Sequence, residues 1–215
     1  MNTVKILNTT ISEISLNEVS SLLNTKNSLK VAICNTNTVI RSYRDETLGE
    51  IINSFDIKTP DGFPIAKSSS ILYNNNQHRV DGYNVLLTTI REGLEKNTSH
   101  YFFGSEDYVL KKLIQNLQKD FPSINIVGSS SPPVSEFKEL TEERYIQDIQ
   151  NVNPDIVWVS LGFPKQEMFI ELLQKKYSME SNFVGIGAVF EWVAGTKVKA
   201  PEFIANLGLE WLLRL

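Results

Sequence analysis

Short apolar runs bounded by glycine or polar residues recur along the chain, separated by longer stretches with a helical period. Leu29–Cys34 (LKVAIC), Tyr101–Gly104 (YFFG), Ile124–Gly128 (INIVG), Asp155–Gly162 (DIVWVSLG) and Phe183–Gly187 (FVGIG) read as buried strands. Between them the period changes. Ser15 and Glu18 have the spacing of a capping box for a helix over Leu16–Leu23. Residues 106–120 place Val109, Leu110, Leu113, Ile114 and Leu117 on one face. Thr141 suits the start of a helix carrying Ile146 and Ile149, a helical pattern begins near Pro64, another covers 83–97, and Pro164 stands where proline tolerates a helix start. Alternation of this kind predicts an α/β fold, a parallel sheet with helices on both faces. Ligands of such sheets bind beyond the carboxyl ends of the strands. The loops to search are therefore 35–38, 60–64, 128–133, 160–167 and 185–190. The final stretch, Ala200–Leu215 (APEFIANLGLEWLLRL), is densely apolar. It reads either as a last core helix or as a surface that meets a membrane or a partner.

Composition narrows the class. At 215 residues the chain has room for one large domain, or one domain and a short extension, and 41% hydrophobic against 21% charged residues supports a packed core. A net charge of −4 argues against a general nucleic-acid binder. A single cysteine, Cys34, excludes a disulfide within the chain and fits a reducing compartment. His78 and His100 stand far apart, and no Cys/His cluster has metal-ligand spacing, so no metal site is expected. No stretch approaches the ~18 apolar residues of a membrane span, and the first residues lack a leader pattern. A soluble or surface-bound protein is expected.

Five loops carry candidate chemistry. After the first buried strand, Asn35, Thr36, Asn37 and Thr38 bring amides and hydroxyls together. These groups suit sugar hydroxyls or a base edge, and equally suit capping of the next helix. Pro60-Asp61-Gly62 is a turn tripeptide taken alone, but it ends the FDIKT segment and puts a carboxylate at the ligand edge, where it can act as a general base. In His78-Arg79-Val80-Asp81-Gly82 the arginine fork suits a diphosphate, although spacing alone reads as a surface turn. Gly162-Phe163-Pro164-Lys165-Gln166-Glu167 opens a helix at a strand end and offers free backbone N–H groups, the Lys165 charge and the Gln166 amide; Glu167 in the first turn is explained by the helix dipole. Gly185-Ile186-Gly187 allows close approach to phosphate, but Phe190 occupies the third glycine position of a dinucleotide fingerprint and no suitable acidic residue follows. Asp-x-Asp, the usual carboxylate pair for a metal-bound nucleotide sugar, is missing, as are GxSxG and GxxxxGK[ST].

The order and spacing of Asn37, PDG, RVDG, GFPKQE, GIGAVFEWVAG, KAP and GLEWLLRL resemble the WecG/TagA/CpsF glycosyltransferases from about residue 5 to the end. The resemblance implies a Rossmann-like core over 1–195 and, over 196–215, the start of a C-terminal apolar appendage that is truncated here. It implies a metal-independent, inverting transfer of an N-acetylmannosamine-type or glucose-type sugar from a UDP donor to a polyprenyl-diphosphate-linked saccharide, for teichoic acid, capsule or related cell-surface polysaccharide, without a cofactor. Its base aspartate falls on Asp61, its polar loop on Asn35 and Asn37 with Thr36 as the alternative, its arginine on Arg79 and its glutamine on Gln166. Gly162, Lys165, Gly185, Gly187 and Arg214 complete the expected donor site. Peripheral attachment through the C-terminal region to the inner face of a bacterial plasma membrane is implied, and a homo-oligomer is left open. Asn35, Glu191 and Lys199 depart from the family's threonine, aspartate and arginine. Two other functions remain open: a non-catalytic nucleotide-binding scaffold for polysaccharide synthesis, and an NAD-dependent oxidoreductase resting only on GIG and βα alternation.

Overall fold

The computed structural model describes residues 1–132 and 143–199. Thr141, Arg214 and the apolar stretch 200–215 lie outside the described residues. Six strands form a parallel sheet: β3 (Lys30–Cys34), β4 (Ile57–Pro60), β5 (Ser99–Gly104), β6 (Asn125–Ser130), β7 (Ile156–Ser160) and β8 (Asn182–Gly185). Their order is β4-β3-β8-β7-β5-β6, every pairing parallel, which makes this an α/β Rossmann-like arrangement. β8 is the joint of the sheet. It pairs with β3 on one side and β7 on the other, linking the β4–β3 ribbon to the β7–β5–β6 ribbon.

All five expected strands are present within a few residues of the apolar runs that predict them, and four are buried; β6, expected to be buried, lies at the sheet edge and is only half-buried. Burial on both faces explains why these runs are continuous rather than alternating. Along β7, Ile156 and Trp158 enter one core while Val157 and Val159 enter the other. The first core is closed by α1 (Leu16–Leu23), α5 (Gly82–Gly93), α6 (Asp107–Asp120) and α9 (Val189–Val193). The second is closed by α2 (Thr36–Arg44), α3 (Glu46–Asn53), α4 (Phe63–Tyr73), α7 (Glu143–Val152) and α8 (Lys165–Tyr177). In the second core Phe103 stacks on Phe169 with ring centroids 4.5 Å apart, and Tyr145 meets it edge-on. Side chains of this kind, fully withdrawn from water, stabilise the fold by about 2 kcal/mol each.

Local signals explain several boundaries. The Ser15/Glu18 capping box starts α1 as its spacing predicts. The helix expected over 83–97 stops at Gly93, where a Cβ would come within 2.5 Å of Asn24 Oδ1. His100 is a core residue: it accepts a hydrogen bond from Trp158 Nε1 at Nδ1, 3.2 Å away, and burial pushes its pKa down to about 4.

One element goes beyond the sequence reading. β1 (Thr3–Ile6) and β2 (Thr9–Ser12) form an antiparallel hairpin that sends Val4, Ile6 and Ile11 into the second core. Ser12 Oγ accepts from the Lys58 amide, so the hairpin covers the outer edge of β4, which would otherwise offer open backbone groups.

Candidate active site

Four consecutive strand ends, those of β4, β3, β8 and β7, deliver Asp61, Asn35, Gly185–Gly187 and Gly162 to one edge of the sheet. At ~4.8 Å between neighbouring strands this row is roughly 14 Å long. It gathers loops that lie far apart in sequence.

Asp61 is fixed by its backbone. Its N–H donates to the Cys34 and Thr59 carbonyls, each at 3.0 Å, and the adjacent Pro60 carbonyl accepts from the Val80 N–H. Gly62, at φ +83°, then turns the chain into α4, a conformation that side chains with a Cβ adopt at a cost. The carboxylate itself stays partly open to solvent. Arg79 Nε lies 3.4 Å from Asp61 Oδ1 and 4.0 Å from Asp81 Oδ2. Lys199 Nζ lies 3.7 Å from Asp81 Oδ1 and 3.9 Å from the Tyr83 ring centroid. Charges thus alternate along Asp61, Arg79, Asp81 and Lys199. The expected diphosphate arginine lies beside the candidate base, and Asp81, which sequence reasoning passed over, holds the arginine while capping α5 through the Asn84 amide.

The polar loop after β3 divides its duties. Asn35 Oδ1 accepts from the Thr38 N–H at 3.1 Å and caps α2, one of the two roles its position suggests. Thr36 and Asn37 are exposed in the first turn of that helix, and the Asn35 side chain is half-buried.

The loops after β7 and β8 form a single unit. Gln166 is buried; its Oε1 accepts from the Gly187 N–H at 3.0 Å and its Nε2 donates to Glu167 Oε1 at 2.9 Å. Ser160 Oγ donates to the Gly187 carbonyl at 2.6 Å. Gly187, at φ +56°, is therefore held from both sides. Gly185 is glycine for a packing reason, since a Cβ there would come within 2.9 Å of Gln166 Nε2. Gly162 is exposed, with open space where a Cβ would stand, and Lys165 is exposed at the start of α8. Gly82 packs against Ile33, Ile186 and Val189, which brings the Arg79–Asp81 segment against the glycine loop of β8.

Glu167 needs a correction. The helix dipole would account for a solvated first-turn carboxylate, but this one is 1% exposed, and burial pushes its pKa up to about 7. Its Oε2 is buried with no hydrogen-bond partner. On a helical wheel Gln166 shares the face of Phe169, Ile170 and Leu173, whereas Glu167 stands ~100° further round at its margin, so the helical period did not signal its burial. Among the described residues no group of three or more His, Cys, Asp or Glu side chains is placed to hold a metal ion.

The family model for the WecG/TagA/CpsF glycosyl transferases matches residues 3–215. Curated relatives carry the name N-acetylglucosaminyldiphosphoundecaprenol N-acetyl-beta-D-mannosaminyltransferase. The Bacillus spizizenii protein is 30% identical over 77% of this chain and 62% of its own length. That of Bacillus subtilis strain 168 is 26% identical over 86% of this chain and 70% of its own length. The Staphylococcus aureus NCTC 8325 protein is 24% identical over 87% and 72%. The match thus spans between three fifths and three quarters of these relatives.

Proposed function

The chain belongs to the WecG/TagA/CpsF glycosyltransferase family, and from that premise we propose that it transfers an N-acetylmannosamine-type sugar from a UDP donor to a polyprenyl-diphosphate-linked saccharide, with inversion, and with Asp61 as the base. One observation carries this reading: the Asp61 carboxylate stands at the ligand edge, partly open to solvent and 3.4 Å from Arg79, in line with the glycine loops of β8 and β7. The names of the relatives supply the sugar and the polyprenyl-linked acceptor.

The acceptor hydroxyl oxygen attacks the anomeric carbon, Asp61 takes its proton, and the bond to the UDP oxygen breaks with its electron pair leaving on the diphosphate. Arg79 orients the carboxylate and places positive charge beside the reacting centre. Backbone N–H groups at the start of α8, together with Lys165, meet the charge that develops on the leaving group. Gly162, Gly185 and Gly187 let the backbone approach the diphosphate, with Gln166 setting the loop. Thr36 and Asn37 face the donor sugar or acceptor from α2, beside Asn35. Among the described residues no helix is long and apolar enough to cross a membrane, which is compatible with peripheral attachment where the lipid-linked acceptor is reached.

General-base assistance is worth ~10²–10⁴-fold, so Asp61→Asn lowers turnover by about that factor while the melting temperature holds. The assay is UDP release with N-acetylglucosaminyl-diphosphate on a short polyprenyl chain. Turnover within a few-fold of wild type in the variant removes Asp61 from the role. No UDP release from the wild-type protein under any donor favours the scaffold instead.

A further inference from the structure

Glu167 is a buried acid that the transfer step does not use. It lies at the start of α8, with Arg41 of α2 and the Cys34 thiol of β3 as the charged and titratable groups that face it. Arg41 is engaged over the Phe163 ring at 5.0 Å, and no ion pair joins Glu167 to a cation among the described residues. Leaving one carboxyl oxygen buried and unpaired costs free energy. An apolar side chain at the same place would avoid that cost, so the acid is retained for its other oxygen. That oxygen receives the Gln166 amide.

An amide has two faces of similar shape and opposite polarity. Only one orientation of Gln166 gives Gly187 an acceptor; the flipped one sets Nε2 against the Gly187 N–H, donor to donor. The choice is made at Glu167 Oε1, which accepts from Nε2 and repels Oε1. We propose that Glu167 is a positioning residue: it fixes the amide orientation of Gln166 and through it holds Gly187 in the left-handed turn that shapes the ligand edge between β7 and β8. With the acid proton on Oε2, the oxygen that faces no donor, Oε1 is an acceptor in both charge states.

The second arm of the test rests on the nucleotide reading given above; the first does not. The first arm is amide hydrogen exchange at Gly187, followed by NMR in the full chain without ligand. Glu167→Met fills the space and removes the acceptor. It is expected to melt at or above wild type, yet to exchange Gly187 at least 10-fold faster. Glu167→Gln keeps an acceptor oxygen and is expected to stay within about 3-fold. Glu167→Asp, which withdraws the acceptor by one carbon, is the second variant should Glu167→Met not fold, and it too speeds exchange. The proposal is overturned if every folded variant of the Met and Asp pair leaves Gly187 exchange within twofold of wild type. The second arm is UDP titration by calorimetry, where loss of the relay weakens binding about tenfold. Exchange that responds while wild type binds no UDP keeps the relay and removes the donor reading.

Discussion

Asp61 and Glu167 show how differently two carboxylates can be placed on the same sheet edge. Asp61 keeps solvent access and an ion-paired arginine; Glu167 is buried, and Arg41 faces it without an ion pair among the described residues. For Glu167 the acid form is favoured in the folded state: its pKa rises to about 7 from an ordinary 4.5 because burial penalises the charge. A pKa raised by folding gives stability that is fully present below the unfolded value and is lost as pH climbs through the folded one. Between pH 4.5 and pH 7 the wild type should therefore lose about 3 kcal/mol that Glu167→Gln does not lose. Urea unfolding of both proteins at pH 5 and pH 8 measures this, and parallel pH dependences would remove the buried acid as the cause. That PDG, RVDG, GFPKQE and GIG supply the candidate edge was largely legible in the sequence, because each ends a strand or begins a helix. Their pairing was not. The closing of Gln166 on Gly187 depends on β7 and β8 being neighbours, and the contact of Arg79 with Asp61 on the chain returning past α4 to bond Val80 to Pro60; neither is written in local periodicity.

At the scale of elements, the start of α2 separates structure from recognition. Asn35 caps the helix through Oδ1, so Asn35→Ala should cost about 1 kcal/mol, read as a lower denaturation midpoint, and Asn35→Ser should recover most of it. If the same side chain also meets substrate, Asn35→Ser regains stability but keeps a raised KM for the donor. A KM equal to that of wild type would leave Asn35 a cap alone. Helices α1, α6 and α8 were readable because a capping box, a clear apolar face and a proline at the start mark them in turn. The β1–β2 hairpin was not readable as such. Its turn, Leu7–Asn8, lacks the glycine that flags a tight connection, and Leu7 adopts φ +55° against its own preference. The alternation of Thr3, Val4, Lys5 and Ile6 was the available signal, and four residues of alternation carry little weight. Burial is what makes the hairpin form: its apolar side lies over β4 and completes the second core.

At the scale of the whole molecule, β8 is bound to the rest by a buried side chain as well as by its strand pairings. Asn182 is fully buried; its Nδ2 donates to the Leu23 and Thr25 carbonyls, and its Oδ1 accepts from the Leu29 and Asn27 amides. Asn182→Ala strands several of these groups out of reach of water and should cost roughly 3 kcal/mol, seen as a lower urea midpoint with an unchanged slope. An unchanged midpoint would mean that water satisfies those groups. The place of β8 in the sheet also matters while the protein is being made. Lys30 opens β3, and its partner Phe183 leaves the ribosome 153 residues later (183 − 30). At ~5–20 residues per second the interval is roughly 8–30 s. Until β8 emerges the nascent chain can hold only the β4–β3 ribbon and, once β7 is made, the separate β7–β5–β6 ribbon, each with an edge awaiting β8. Folding of this protein in the cell therefore depends on how well those edges are shielded during translation, and chaperone supply and elongation rate should govern its yield more than the stability of the finished fold.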